Sequence, residues 1–258
     1  MKSSRDSARA RQDQILRQLR SSPFVSVSEL VQQLGVSDMT VRRDLKNLSN
    51  RGEVNIVHGG ASLPHSAHGT ADFSRRARRL SEAKHKIAVA AQEYIPDRGV
   101  IAIDAGTTAF AVVNELSADF RGTVITHSIP VLQHMLSFPN ASVLGLGGEL
   151  LIESQALVGP RTVEGLAGLK ADTLFLGAAA IDAAGIYVTT DIERPVKKAL
   201  IESASLVVLV ADHEKFNGSA AVRLVDFSAV DVVITDAAPG PDVDNRLKAA
   251  GTDVIVCA

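Results

Sequence analysis

Apolar positions recur with two different periods along the chain, and the change of period divides the chain into two parts. In roughly the first fifty residues, apolar side chains return every three or four positions, which is the period of amphipathic helices. Beyond residue 82, short apolar runs alternate with amphipathic segments, a pattern typical of a mostly parallel sheet with helices on both faces. We therefore predict a small N-terminal domain in residues 1–62, a linker in residues 63–81 and a larger α/β domain in residues 82–258.

The N-terminal part contains two predicted helices joined by a tight turn. Gly35 can adopt a positive φ at the end of the first helix, and Ser37 is placed to cap the second. The second helix repeats apolar side chains at i, i+4 and i+7. These are Val41, Leu45 and Leu48. The next segment, EVNIVHGGASL, predicts a short β-hairpin, or wing. The order of helix, turn, helix and wing is typical of a DNA-binding module.

The other face of the second helix carries hydrogen-bonding and basic side chains. They are Thr40, Arg42, Arg43 and Lys46. Because Arg42 and Arg43 are adjacent, they diverge by about 100° around the helix, and one can reach a base edge while the other reaches a phosphate. Lys46 suits a phosphate. Ser37 and Thr40 can hydrogen-bond DNA near the helix N-terminus, and His58 can approach the DNA from the wing. A solvated basic face on an ordinary helical subdomain is the alternative, and the complete layout favours DNA binding.

The charge distribution supports this division of the chain. Residues 1–62 hold 10 Lys and Arg against 6 Asp and Glu, a net +4, whereas the remainder holds 17 against 23, a net −6. A basic small segment on a larger acidic one is expected of a DNA reader joined to another domain. The single cysteine, Cys257, excludes an intrachain disulfide or a cysteine metal cluster and suits a reducing cytoplasm. No targeting segment or membrane-length apolar run is present, and no cofactor or metal is indicated.

The larger part alternates apolar strands with amphipathic helices. Candidate strands are residues 100–104, 123–127, 142–146, 173–180, 206–211, 232–235 and 254–256. Phe73, within the small and polar linker, is expected to dock on the domain that follows the linker.

The segment VIAIDAGTTAF predicts a strand that ends in a turn of small residues and opens a helix. Gly106 lets the backbone approach a ligand, Thr107 and Thr108 offer hydroxyl groups, and the helix N-terminus offers unpaired N–H groups, which together suit an anion. Asp104 lies at the carboxyl end of the strand, where open α/β sheets bind ligands. An ordinary capping turn is the alternative. Further candidates follow other strands: Thr126–Ser128, Gly147, Gly148, Glu149, Gly177, Asp182, Gly185 and Lys215. Glu193 and Lys197 lie four residues apart on one predicted helix, and either form a surface ion pair or present a charge pair to the pocket.

The N-terminal sequence resembles the DeoR family of bacterial sugar-metabolism regulators through ELVQQLGVS, TVRRDL and VHGGA, in that order and spacing. Residues 72–258 resemble the sensor domain of the same family through DAGTT, the THS position, GGEL, FLGAAAID, the helix of Glu193 and Lys197, and VADHEKF. The resemblance implies a winged helix-turn-helix followed by an α/β sensor domain with the fold of ribose-5-phosphate isomerase.

The resemblance also implies that a sugar phosphate or related phosphorylated metabolite binds the sensor domain and alters the affinity for DNA. The implied effector ligands are Asp104, Gly106, Thr107, Thr108, Ser128, Gly147, Lys197 and Lys215. Three departures from the family pattern matter. Ile56 stands where the family usually has an arginine before VHGG, which removes a wing contact to phosphate. His127 replaces an asparagine, and His213 and Glu214 stand where Ser or Thr commonly precedes the lysine, so that Glu214 adds negative charge near the proposed phosphate site.

Two functions remain open from the sequence. The first is an effector-controlled regulator, expected to be a repressor of carbohydrate-metabolism genes, that binds double-stranded operator DNA as a homo-oligomer, a dimer or a tetramer, and is not an enzyme. The second is a sugar-phosphate isomerase-like enzyme with an accessory DNA-binding domain, in which Asp182, Glu193 and Lys197 belong to the catalytic set. Nucleotide binding through GLGGEL is a weaker reading, because the required strand–glycine loop–helix context is absent.

Overall fold

The computed structural model describes residues 4–21, 25–51, 53–57, 60–62, 73–218 and 220–257. Contacts divide the chain into two compact units, Met1–Asp72 and Phe73–Ala258. The predicted fold class is confirmed, with a small helix-turn-helix unit followed by a larger α/β unit. Among the described residues, no helix combines the length and the apolar character that a membrane crossing requires.

The first unit has three helices and a small antiparallel sheet. The helices are α1 (Ser4–Ser21), α2 (Val27–Leu34) and α3 (Asp38–Asn50). The strands are β1 (Val25–Ser26), β2 (Asn55–Val57) and β3 (Gly60–Ser62), in the order β1-β3-β2. Strands β2 and β3 pair antiparallel and form the predicted wing.

Local capping explains why α2 and α3 begin and end where they do. Ser26 caps the start of α2 in a reciprocal capping box with Glu29. Gly35 adopts the left-handed conformation, with φ 63°, that ends α2, and the Ser37 side chain accepts from the backbone N–H of Thr40 at the start of α3. Both caps agree with the sequence prediction. The predicted face of Val41, Leu45 and Leu48 is buried with Ile15, Leu19 and Leu30.

The second unit contains a further seven helices and twelve strands among the described residues. The helices are α4 (residues 73–78), α5 (Ser81–Ala91), α6 (Thr107–Asn114), α7 (Ile129–Met135), α8 (Pro160–Leu166), α9 (Arg194–Ser203) and α10 (Pro241–Ala250). The strands are β4 (Val100–Ile103), β5 (Thr123–Thr126), β6 (Ser142–Gly145), β7 (Glu149–Leu151), β8 (Ala156–Val158), β9 (Ala171–Gly177), β10 (Ala180–Asp182), β11 (Gly185–Val188), β12 (Ala204–Val210), β13 (Val222–Val225), β14 (Val232–Thr235) and β15 (Asp253–Val256).

The main sheet has seven parallel strands in the order β15-β14-β12-β9-β4-β5-β6. These are the seven strands predicted from the sequence. Along β4, Ala102 belongs to one hydrophobic cluster, while Ile101 and Ile103 belong to another. Because successive side chains of a strand point to opposite faces, the two clusters cover both faces of the sheet. Strand β4 is therefore central, and its carboxyl end lies among other strand ends.

Two small antiparallel sheets were not predicted: β7-β8 and β10-β11-β13. All five of these strands span three or four residues, which is too short for a clear alternation of polar and apolar positions. Asp182 helps to form the turn between β10 and β11, because its Oδ1 accepts from the backbone N–H groups of Ala184 and Gly185.

The structure differs from the sequence prediction in the segment assigned to a linker, residues 63–81. Its first part, residues 63–72, lies outside the described residues, but residues 73–78 form α4 and belong to the second unit. Phe73 is buried, and its ring packs edge-on against Phe110 with centroids 6.0 Å apart. This contact confirms the expected docking of Phe73.

The end of α4 is held by a buried lysine. The Lys84 ammonium donates to the Arg79 carbonyl at 2.6 Å and to the Arg76 carbonyl, which are acceptors without a partner inside the helix.

Candidate functional sites

Helix α3 is held in the first unit by a buried polar contact as well as by its apolar face. The Asp44 carboxylate is nearly inaccessible to solvent. It accepts from Arg11 Nε at 2.6 Å and from Gln12 Nε2 at 3.0 Å, and both donors lie on α1. The Gln12 Oε1 atom in turn accepts from Arg51 Nη2 at 3.0 Å. This network fixes α3 against α1 and therefore sets which side chains α3 presents to solvent.

The outer face of α3 presents the predicted cations. Arg42, Arg43 and Lys46 are exposed, and Thr40 is half-buried. Arg42 lies in an exposed ion pair with Asp38, one helical turn earlier, with Nε 2.6 Å from Oδ1. Neither Arg43 nor Lys46 forms an ion pair with any residue that the structure describes. An unpaired guanidinium beside an unpaired ammonium on one exposed helix suits a polyanion.

Ser37 and the wing complete this surface. The Ser37 hydroxyl lies 2.9 Å from the Thr40 hydroxyl at the helix start, so both predicted hydroxyls lie together. Ile56 is exposed on β2, opposite Ala61, and offers no cation at the position where the resemblance led us to expect one. His58 lies outside the described residues.

The second unit holds a polar cavity of about 160 Å³ where the carboxyl ends of β4 and β9 lie side by side. Eight of its lining side chains are polar or charged: Arg76, Thr107, Thr108, Ser154, Thr189, Glu193, Lys197 and Lys215. Carboxyl ends of parallel strands are where open α/β sheets bind ligands.

Gly106 and the first turn of α6 form one wall of this cavity. Gly106 has φ 151° and ψ 157°, a conformation that is essentially restricted to glycine. No atom lies within 4 Å of the place where a Cβ would stand, so the backbone borders open space. The first N–H groups of a helix have no partner within the helix. Thr107 and Thr108 begin α6 and add hydroxyl groups, so this wall can bind an anion.

A buried ion pair lies beneath this wall. Asp104 Oδ2 accepts from the backbone N–H of Gly177 at 2.9 Å and from the Lys197 ammonium. Lys197 also donates to the Gly177 carbonyl at 3.1 Å. Burial alone would raise the pKa of the Asp104 carboxyl, but the Lys197 charge and the contact with His127 outweigh burial and hold the pKa below its ordinary value. Asp104 therefore stays ionised and neutralises Lys197.

His127 lies on the other side of the Asp104 carboxylate. Its Nδ1 donates to the Leu157 carbonyl at 2.9 Å, since a carbonyl oxygen can only accept. Its Nε2 lies 3.1 Å from the backbone nitrogen of Ala105 and 3.2 Å from Asp104 Oδ1. The ring of His127 thus links the Leu157 carbonyl to the residues that follow β4.

Glu193 also lines the cavity, and both oxygens of its carboxylate already accept hydrogen bonds. Oε1 accepts from the Ser154 hydroxyl at 2.7 Å, and Oε2 accepts from the backbone N–H and the hydroxyl of Thr190, each at 3.1 Å. Arg76 enters from α4, and its Nη2 donates to the Glu153 carbonyl at 3.0 Å. The walls of the cavity are thereby fixed to one another by hydrogen bonds.

Two family models match the chain over most of its length. The DeoR C terminal sensor domain matches residues 79–237, and the DeoR-like helix-turn-helix domain matches residues 11–67. The chain belongs to the DeoR family. This DeoR-family chain is accordingly a DNA-binding transcription regulator, and the exposed face of α3 belongs to its DNA-binding domain.

Relatives with similar lengths accompany this match. The DeoR-family chain is 33% identical over 247 residues to the HTH-type transcriptional repressor CsqR of Escherichia coli K12. This alignment covers 95% of the present chain and 94% of CsqR. It is 34% identical over 230 residues to the Glycerol-3-phosphate regulon repressor of the same organism, covering 89% and 91%. Among solved structures, ribose 5-phosphate isomerase A from Neisseria gonorrhoeae matches with a TM-score of 0.38 and 16% sequence identity. The match covers 51% of this chain and 52% of that one.

The cavity of this DeoR-family chain brings together five of the eight predicted effector residues. They are Gly106, Thr107, Thr108, Lys197 and Lys215. Asp104 lies beneath the surface and contacts the cavity through Lys197. Ser128 and Gly147 are not among the lining residues: Ser128 is completely buried, and the Gly147 carbonyl accepts from Thr162 Oγ1 at 2.7 Å in another part of the fold.

His213 and Glu214, which depart from the DeoR-family pattern just before Lys215, contact residues outside the cavity. His213 Nδ1 lies 2.6 Å from Asp236 Oδ2, and the His213 backbone N–H donates to Asp236 Oδ1 at 2.7 Å. Glu214 accepts from Arg79 Nη2 at 2.8 Å. These contacts hold the short loop that carries Lys215, and Arg79 compensates the added negative charge of Glu214.

Sequence reasoning missed Arg76 and Ser154 as lining residues of the DeoR-family cavity. Arg76 lies in the basic run RRARR, a signal that was available but was assigned to a linker. Ser154 follows the unpredicted strand β7 and had no signal of its own. The described residues contain no group of three His, Cys, Asp or Glu side chains placed to hold a metal ion.

Proposed function

We propose that this chain is a cytoplasmic repressor of carbohydrate-metabolism genes whose affinity for operator DNA is controlled by a phosphorylated sugar or related metabolite. The observation that carries the proposal is that Gly106, Thr107, Thr108 and Lys215 line the same cavity. Backbone N–H groups, hydroxyls and a cation around one small space are the groups that bind a phosphate. The name of one relative, the Glycerol-3-phosphate regulon repressor, points in the same direction.

The charges of the cavity support an anionic ligand with a polar body. Lys197 is neutralised by Asp104, and Lys215 adds a further ammonium group to the lining. An ammonium group together with helix N–H groups and hydroxyls favours a phosphate group. The carboxylate of Glu193, already oriented by Ser154 and Thr190, can accept hydrogen bonds from sugar hydroxyls. The lining thus offers groups for a phosphate and a carboxylate for the hydroxyls of a sugar.

We propose that the effector acts by shifting a pre-existing equilibrium between arrangements of the DNA-binding domains. A homo-oligomer presents two recognition helices to paired half-sites, which multiplies the few base contacts that one helix makes. An effector that binds one arrangement more tightly shifts the population towards it by the difference in affinity. Release of DNA on effector binding, with relief of repression, is the proposed direction.

A thermal-shift screen of phosphorylated sugars and sugar acids on the full chain tests the effector site. A ligand that binds the folded state raises the melting temperature, and at a fixed ligand concentration the rise is larger for a tighter binder. We expect a stabilising phosphorylated sugar whose effect is lost in Lys215→Met and retained in Lys170→Met, an exposed lysine that does not line the cavity. An equal response of both variants to the ligand would place the phosphate elsewhere.

The alternative function is sugar-phosphate isomerisation, and the specific observation behind it is that Glu193 and Lys197 line the same cavity. A carboxylate base and a nearby acid are what such a reaction needs. In this chain the two Glu193 oxygens are occupied by three hydrogen bonds and Lys197 by a buried ion pair, which argues for binding without catalysis. Incubation with aldose and ketose phosphates under NMR observation decides: no interconversion is expected, and catalysed interconversion would establish the enzyme.

A further inference from the structure

The edge of the main sheet at β6 is unusually free of charge. Charged residues make up 22% of the whole chain, yet no Asp, Glu, Lys or Arg occurs from Gly122 to Gly148. At 22%, a stretch of this length would be expected to contain about six charges. The stretch includes β5, α7 and the edge strand β6. Exposed surface without charge is the composition of a contact surface rather than of a solvated one.

Among the strands that the structure describes, β6 pairs with β5 alone, so one row of its backbone groups has no strand partner there. The N–H groups of Ser142 and Leu146 donate to carbonyls at the β5 side, those of Gly122 and Thr126. Because consecutive residues of a strand direct their hydrogen-bonding groups to opposite sides, the groups of Val143 point away from β5, towards the open edge. Such an edge is a template for another strand.

Apolar side chains accompany this open edge. Val143 and Leu144 are 37% and 44% exposed on β6, and Leu136 at the end of α7 is 87% exposed. Helix α7 packs beside β6, with Leu132 against Gly145. Backbone groups and exposed apolar side chains therefore occur on the same part of the unit.

The other edge of the sheet lacks this combination. Strand β15 begins with the exposed carboxylate of Asp253, and Lys248 lies shortly before it. Charged residues at a sheet edge are one of the devices that prevent edge-to-edge pairing. Strand β6 contains no charge, no proline and, in its pairing with β5, no bulge.

We propose that β6 and the adjoining end of α7 form a self-association surface, on which β6 of a second copy of this chain pairs antiparallel across a two-fold axis. An uncharged surface requires an uncharged partner, and the same surface on another copy meets that requirement. A strand that pairs with itself antiparallel is self-complementary in donors and acceptors, as a two-fold interface demands. The DNA-binding role adds a reason for two copies, because paired half-sites need two recognition helices.

The test compares two lysine substitutions on the two edge strands of the full chain. Leu144 on β6 and Val256 on β15 are nearly equally exposed, at 44% and 46%. In sedimentation velocity over a concentration series, wild type is expected to be a dimer or larger. Leu144→Lys should lower the oligomeric state at least twofold, and Val256→Lys should leave it unchanged. A monomeric wild type, or equal behaviour of the two variants, overturns the proposal.

Two further variants separate loss of the surface from loss of the fold. Val143→Pro removes only an outward N–H and should dissociate the oligomer while circular dichroism stays that of wild type. Leu144→Lys and Leu144→Glu should each dissociate alone and re-associate when mixed, because the two charges then face each other across the axis. Absence of re-association in the mixture would contradict pairing of β6 with itself. The thermal response to phosphorylated sugars is measured separately, so failure here leaves the proposed effector site standing.

Discussion

On α3, Arg43 and Lys46 stand exposed without a carboxylate partner among the described residues, whereas Lys197 is buried in the second unit against Asp104. The exposed cations contribute little to the stability of their unit, and their charge remains available to DNA phosphates. The buried cation has given up its hydration, so its partner is required for the fold as well as for the cavity. Substituting a basic side chain should therefore change DNA affinity in the first unit and the free energy of unfolding in the second.

The largest expected effect is that of Lys197→Met. The change leaves the completely buried Asp104 carboxylate without its ion pair, and removing one partner of a buried pair costs about 3–5 kcal/mol. Urea unfolding followed by circular dichroism measures this loss. Lys198→Met, the exposed neighbour on the same helix, is the control and should change the free energy of unfolding by less than about 0.5 kcal/mol. Equal stabilities of the two variants would mean that the pair does not support the fold.

Arg43→Ala should weaken DNA binding and leave the free energy of unfolding unchanged, in contrast to Lys197→Met. A base contact from an arginine is worth about 1–3 kcal/mol, which is about a 5- to 150-fold loss of affinity for fragments that wild type selects from a random pool. Fluorescence anisotropy at fixed salt measures the affinity. The matched variant is Arg17→Ala, an exposed arginine on α1, which should bind as wild type does. If Arg17→Ala is the weaker binder, α3 is not the reading helix.

The smallest effect concerns His213, which is neither fully exposed nor buried. Its hydrogen bond to Asp236 raises the pKa of the His213 imidazole above its ordinary value, against a smaller opposing effect of burial. A raised folded-state pKa stabilises the fold fully below the unfolded-state value of about 6.5, and this stabilisation is lost as pH rises through the folded-state pKa. Because the ring is 43% exposed, we expect at most about 0.5 kcal/mol.

The measurement for His213 is the melting temperature of wild type minus that of His213→Gln across the pH range. The difference should be greatest on the acid side of neutrality and should decline towards alkaline pH. A difference that grows with pH would reverse the sign of the argument and exclude the protonated pair.

Sequence reasoning succeeded where a local pattern carries the whole signal. The seven parallel strands are buried apolar runs, and the caps at Gly35 and Ser37 depend on residues within one turn. Partnerships over long separations were not readable. The exposed face of α3 was predicted, but not the bond from Arg11 to Asp44, thirty-three residues away, that orients it.

The candidate site shows the same division. The DAGTT turn was found because glycine, hydroxyls and a strand end lie together in sequence. That Asp104 lies beneath the cavity and that Ser128 does not line it depend on strand order, which no local pattern encodes. Arg76 was missed because a short basic run resembles a linker until Phe73 and Lys84 are seen to fix it as a helix.

The buried pair of Asp104 and Lys197 also bears on how this domain can change over generations. Replacing a buried ion pair by well-packed apolar residues is often neutral or stabilising once both members are exchanged. Each single substitution, however, leaves one buried charge without its partner and gives a poorly folded variant. A library of single variants should therefore reject nearly every change at either position, although many double changes would be tolerated. The pair is therefore retained because the first single substitution lowers stability, even where the double variant would be as stable as wild type.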